Sequence, residues 1–228
     1  MKQYKALIFD FDMTLADSAK VIAELLNVSA NDFGYPSMSF KDVLPVIGNT
    51  HEVMLSHVTG ENNPQNILNM RTHYRQLCRT RMAQKTEIFP DVPACLENIA
   101  GKGIKIGLLS LKLRDVLMQS LVKYNLAKYF SAVVGCEDVA APKPDPSGLF
   151  AVLKVLGVGP QDALYIGDSL VDEGAARAAG VDFSAMLRGG TTKEQFDHTF
   201  VKHFYSSAEE LSNDIDTMAM AFVGQELL

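Results

Sequence analysis

The sequence predicts an α/β protein built on a doubly wound parallel sheet, with a helical insertion after its first strand. Three observations carry that expectation. Short, wholly apolar runs alternate with helical patterns, glycines stand where those helices should stop, and residues 17–86 break the alternation with helical patterns alone. The first apolar run, residues 5–9, leads at once into Asp10-Phe11-Asp12-Met13-Thr14-Leu15. Further runs occupy 104–109, 132–134, 163–166 and 183–187. Strands covered by helices on both faces read this way, because neither face meets water. Helical patterns at 92–101, 114–124, 146–156 and 172–179 lie between them, with Gly101, Gly157 and Gly180 at the expected C-caps. Strand and helix in alternation make a doubly wound sheet.

Within the insertion, helical patterns run over 18–33, about 50–58 and 64–84, jointed by Pro36, Pro45, Gly48 and Gly60. The chain returns to the sheet near Phe89-Pro90-Asp91. The expected organisation is a core of residues 1–16 and 87–228 and a helical cap of 17–86.

At 228 residues the chain can bury a sizeable core, and its 47% apolar content reads as globular. A net charge of −6 weighs against nucleic-acid and membrane-surface partners, which are polyanionic. No apolar stretch approaches the roughly 18–20 residues of a membrane span. The first residues show no signal-peptide pattern. Cys78, Cys95 and Cys136 have no metal-type spacing and read as buried hydrophobes in a reduced, cytoplasmic setting.

Open α/β sheets bind ligands beyond the C-terminal ends of their strands. Asp10 and Asp12 follow the first strand, Ser110 and Lys112 the second, Lys143 the third, and Asp168 with Asp172 the fourth. Three carboxylates packed together repel one another, and a hard cation relieves that; Mg²⁺ takes carboxylates, waters and phosphate oxygens. Lys143 can neutralise a phosphoryl group and Ser110 can donate a hydrogen bond to it. One aspartate could then attack phosphorus while the second moves the proton. Each segment has a plainer alternative. Lys143-Pro144-Asp145-Pro146 could be only a turn, and Asp168 and Asp172 could be helix-start charges.

Taken together, Asp10-Phe11-Asp12-Met13-Thr14-Leu15-Ala16-Asp17-Ser18, Leu108-Leu109-Ser110, Lys143-Pro144-Asp145-Pro146 and Gly167-Asp168-Ser169-Leu170-Val171-Asp172 resemble the four motifs of the haloacid dehalogenase superfamily. The likeness is to its phosphoglycolate phosphatase and β-phosphoglucomutase-like branch, which has a Rossmann-like core and a helical cap. That resemblance implies Asp10 as nucleophile and Asp12 as general acid and base. It implies Asp10, Asp12 (through its backbone carbonyl), Asp168 and Asp172 around Mg²⁺, with Ser110 and Lys143 on the phosphoryl group. Thr14, Leu111, Lys112, Gly48, Asn49 and His51 join the substrate-binding set. Asp12 points to phosphate chemistry, since the family's dehalogenases lack that acid.

Two residues depart from the pattern. Met13 replaces the usual glycine and is expected either to adopt an ordinary conformation or to line the pocket mouth. Leu111 replaces the asparagine common in this branch. In the cap, 48–51 could face substrate or simply start a helix, capped by Asn49 or Thr50 with His51 exposed. Arg71, Arg75 and Arg79, four apart, could meet an anionic substrate or form a solvated face. The expected protein is a monomeric or weakly dimeric Mg²⁺-dependent phosphatase of a small phosphorylated metabolite. A sugar phosphomutase and a catalytically weak phospho-ligand sensor are the alternatives.

Overall fold

The computed structural model describes residues 2–223, and side chains as far as residue 216. Met1 and residues 224–228 of the expected core lie outside the described residues. Among the described residues eight strands form: β1 (Ala6–Phe9), β2 (Ala16–Asp17), β3 (Glu87–Ile88), β4 (Lys105–Leu109), β5 (Phe130–Val134), β6 (Ala163–Gly167), β7 (Asp182–Met186) and β8 (Val201–Tyr205). Ten α-helices accompany them among the described residues: α1 (Ala19–Asp32), α2 (Phe40–Val43), α3 (His51–Thr59), α4 (Pro64–Leu77), α5 (Ala83–Lys85), α6 (Val92–Gly101), α7 (Arg114–Lys123), α8 (Ser147–Leu156), α9 (Leu170–Ala179) and α10 (Ala208–Val223).

Six strands make one parallel sheet in the order β5-β4-β1-β6-β7-β8. The period of two along β1 explains its wholly apolar sequence. Leu7 and Phe9 pack with Leu96 and Ile99 of α6 and Leu211 of α10, whereas Ala6 and Ile8 pack with Val152 of α8 and Ala175 of α9. The sixth strand, β8, was not expected, because Lys202 and His203 break its apolar run. It lies at the sheet edge, where such residues reach solvent.

Gly157 and Gly180 cap α8 and α9 in the left-handed conformation, as their positions predicted. Gly101 differs. It is the last residue of α6, Lys102 takes the C-cap, and the left-handed turn falls on Gly103.

Residues 19–85 hold α1 to α5. Ile22, Leu25, Leu26, Leu55, Met70 and Tyr74 form their common core, which extends to Leu113 and Val116 after β4. The expected single pattern over 64–84 is interrupted, since α4 passes into a π-helical turn, Cys78–Met82, before α5. Such a turn inserts an extra residue and re-aims the side chains beside it. The stretch is joined to the sheet by β2 and β3, which pair antiparallel as Ala16↔Ile88 and Asp17↔Glu87. Among the described residues no helix is long and apolar enough to cross a membrane.

Candidate active site

From β1 the chain winds outward to β4 and β5, then crosses back to β6 on the other side of β1. The strand order therefore reverses at β1, which opens a crevice at its C-terminal end. Asp10 follows β1, Ser110 follows β4 and Asp168 follows β6, so three adjacent strands deliver three of the expected residues. Lys143 arrives from the loop between β5 and α8, and Asp172 from the first turn of α9.

Lys143 is the hub of the floor. Its buried Nζ donates to Asp10 Oδ1 at 2.8 Å and to Asp172 Oδ1 at 2.5 Å. Tyr165 Oη lies 3.1 Å from the same Nζ and donates to Asp172 Oδ1 at 2.6 Å. Asp172 also closes a capping box with Ser169 at the start of α9. One carboxylate thus starts the helix and also reaches the floor of the crevice. Burial opposes the charge on Lys143, yet Asp10 and Asp172 outweigh it and hold the ammonium above its ordinary value.

Carboxylate oxygens of Asp10, Asp168 and Asp172 all lie within 4.8 Å of one another. Burial, with Asp172 and Asp12 adding to it against the pull of Lys143, raises Asp10 to about 7. Burial and then the charges of Asp172 and Asp10 push Asp168 well above the carboxylate range. Three carboxylates against one ammonium leave negative charge uncompensated. The donors are all hard oxygens, as Mg²⁺ requires. Gly189 keeps the space beside Asp168 open, since a Cβ there would sit 1.8 Å from Asp168 Oδ2. The residues present fit a divalent cation.

Asp12 is held apart from this cluster. Ser18 Oγ donates to its Oδ1, and the buried Lys112 Nζ lies 3.0 Å from the same oxygen. Lys112 also touches Met82 Sδ at 2.8 Å, so a residue of the π turn rests on the ammonium that pairs with Asp12. Ser110 Oγ accepts from the Lys112 backbone N–H at 3.3 Å.

Met13 takes neither conformation expected of it. Its φ is +58°, the left-handed region, and it is not among the residues lining the chamber. Its N–H donates to Ala16 O at 2.8 Å, which fixes the turn that brings Asp12 back toward the sheet. That conformation is costly for a residue with a Cβ, and it explains why glycine suits this place.

Asp10, Asp12, Ser110, Leu111, Lys112 and Lys143 face a chamber whose roof includes Ile22, Met54, Tyr74, Cys78 and Met82. Gly48, Asn49 and His51 line it as well. Gly48 has φ +94°, and a Cβ there would lie 3.8 Å from Ser169 Cβ, so this loop rests directly on the start of α9. Thr50 is the N-cap of α3, but His51 is not exposed as a plain helix start would have it. Its imidazole is buried, and burial followed by the Arg75 charge lowers it to about 4. Thr14 is buried outside the chamber lining, its Oγ1 without a hydrogen-bond partner. Tyr165, Ser169 and Gly189 carry parts of the site that the sequence did not reveal. Tyr165 sits inside an apolar run and reads as core, and no pattern marks Gly189.

A family model for haloacid dehalogenase-like hydrolases matches residues 7–186. Over 183 residues the chain is 33% identical to a phosphoglycolate phosphatase of Yersinia pseudotuberculosis, covering 78% of this chain and 79% of the relative. A phosphoglycolate phosphatase of Escherichia coli is 27% identical, with 91% and 90% covered. A crystal structure of a haloacid dehalogenase-like protein from Bacteroides fragilis superposes with a TM-score of 0.87 at 33% identity, covering 92% of this chain and all of that one. The chain belongs to the haloacid dehalogenase-like hydrolase family. Within it, the chain is a phosphatase, a phosphoric monoester hydrolase.

Proposed function

We propose that the protein is a Mg²⁺-dependent phosphatase that hydrolyses a small phosphorylated metabolite through an aspartyl-phosphate on Asp10. The single observation that carries this reading is the placement of Asp10. Its carboxylate is buried at the end of the central strand, bonded to Lys143, within an acidic cluster and facing the chamber. The relatives' names favour a phosphoglycolate-like substrate. Residues 17–86 act as the cap domain over the core of 1–16 and 87–228.

In the first half-reaction an Asp10 carboxylate oxygen attacks phosphorus while the ester oxygen departs with the bonding pair and takes a proton from Asp12. In the second, Asp12 recovers a proton from water, the resulting hydroxide attacks phosphorus, and Asp10 leaves with its carboxylate restored. Ser18 and Lys112 hold Asp12 in place for both transfers. Lys143 offsets charge on the phosphoryl oxygens, and Ser110 donates to one of them. Asp10, Asp168 and Asp172, with the backbone carbonyl of Asp12, would hold Mg²⁺. When bound, it neutralises phosphoryl charge and keeps these carboxylates ionised. Closure of the chamber roof excludes bulk water from this chemistry.

Asp10→Asn tests the assignment. Phosphate release in the presence of Mg²⁺ should drop to the detection limit while circular dichroism and cooperative melting are retained. Near-wild-type release from a folded variant would overturn it.

A further inference from the structure

Asp168 is the carboxylate of the acidic cluster that the protein holds least directly. Lys143 donates to Asp10 and to Asp172, but among the described residues no protein donor reaches the Asp168 side chain. What fixes it is packing against Gly189. A Cβ at that glycine would lie 1.8 Å from Oδ2 and 2.8 Å from Cγ of Asp168, so the carboxylate rests on the bare Cα. Gly190 follows, and a Cβ there would come within 3.5 Å of Leu44 O. Two glycines in a row set no conformation of their own. This loop therefore keeps its place only where its flanks are anchored.

Arg188 supplies that anchor. The Leu187 N–H closes the last rung beside β8 by donating to Tyr205 O at 2.8 Å, and the chain then leaves the sheet. Arg188 Nε donates to Ser206 O at 3.3 Å, and its guanidinium carbon lies 4.3 Å from the centre of the Phe89 ring. A terminal guanidinium nitrogen pairs with Asp91 Oδ2. Asp91 is itself held, because the same oxygen accepts from the Ala208 N–H at 2.7 Å, at the start of α10. Phe89 and Asp91 belong to the segment after β3, where the helical stretch returns to the sheet. One side chain thus ties the glycine loop to three separate parts of the fold. As a stabilising contact the pair is poor. Arginine and carboxylate commonly close a two-pronged fork, yet Asp91 Oδ1 and Arg188 Nη1 are both buried without a hydrogen-bond partner. A buried donor and acceptor left unpaired oppose folding. What the arrangement does supply is a fixed place for the residue next to Gly189.

We infer that Arg188, held by Asp91, is a positioning residue of the metal site: it fixes the Gly189 backbone on which Asp168 rests, and so sets the affinity for Mg²⁺. This inference rests on the Mg²⁺ reading above. Its sign separates it from plain electrostatics. Arg188 is a cation, so charge alone would make its removal tighten the binding of a divalent cation. Loss of positioning weakens that binding instead.

The test is titration calorimetry of Mg²⁺ into the metal-free full chain. Arg188→Gln should raise the Mg²⁺ Kd by about 10-fold, the effect of removing a group that orients a metal ligand. Arg188→Lys keeps the charge but not the planar fork; its Kd should fall between, and it decides the matter should Arg188→Gln fail to fold. Asp91→Asn should shift the Kd in the same direction. Arg177→Gln removes an equal charge from an exposed pair on α9 and should leave the Kd unchanged or lower. Unchanged or tighter binding in the folded Arg188 variants would overturn the inference and leave the metal reading intact. An equal weakening by Arg177→Gln would overturn it as well, since position in the fold would then not matter. A wild-type chain that binds no Mg²⁺ would sink both readings.

Discussion

The floor and the roof of the chamber are built on opposite principles. On the floor, buried charges share partners: Lys143 serves Asp10 and Asp172, and Tyr165 braces both Lys143 and Asp172. On the roof, Ile22, Met54, Tyr74 and Met82 present carbon and sulfur, and the polar group His51 is kept uncharged by burial. A charged, over-connected floor fixes reacting atoms against thermal motion, which suits chemistry common to many esters. On the function proposed above, a mostly apolar roof with one or two polar groups would be the part that discriminates among leaving groups.

The largest expected effect comes from breaking the floor. Lys143→Met removes the only ammonium among Asp10, Asp168 and Asp172, and should cost about 3–5 kcal/mol in metal-free denaturant titrations. Added Mg²⁺ should restore part of it. A cost below about 1 kcal/mol would mean the cluster is already protonated and the hub is not needed.

The roof should instead fail with acid. The folded His51 value of about 4 lies below the ordinary 6.5. Between those two values the unfolded chain binds a proton that the folded chain refuses, so this residue's contribution is present above pH 6.5 and is lost as pH falls toward 4. The loss amounts to at most about 3 kcal/mol. Thermal melts from pH 7 to pH 4.5 read it, and His51→Gln should flatten that limb. An unchanged limb would place the sensitivity elsewhere.

Tyr165→Phe keeps the ring and removes the hydroxyl that donates to Asp172 and accepts from Lys143, which should cost about 1.5–3 kcal/mol of stability. A bracing role also predicts a fall in kcat with KM little changed, which lost packing alone would not give. Smallest is Met13→Gly, which should gain up to about 1 kcal/mol by relieving the left-handed turn, less what glycine returns to the unfolded chain. A loss instead would show that the methionine side chain contributes more by packing than its backbone costs.

The same contrast governs how much the sequence disclosed. Asp10, Asp12, Ser110, Lys143 and Asp168 were legible because each is a polar residue straight after a buried strand or in a short marked turn. Tyr165 was not, since its hydroxyl is useful only because Lys143 and Asp172 converge on it from other segments. The environment of His51 depends on Arg75, 24 residues along the chain. The conformation of Met13 depends on a hydrogen bond to Ala16 that no residue pattern encodes. The two-residue strands β2 and β3 are too short to leave any periodicity. Local chemistry is written in the chain, whereas the partnership of distant side chains is written in the fold.

The pairing of β2 with β3 has a consequence for the residues between them. The two ends of the helical stretch meet as hydrogen-bonded neighbours, Asp17 facing Glu87. Any replacement segment whose ends also close as two antiparallel rungs can be spliced in without moving a strand of the sheet. The junction is a splice point written in backbone geometry: whatever helices lie between its two rungs, the residues that follow β1, β4 and β6 stay where they are.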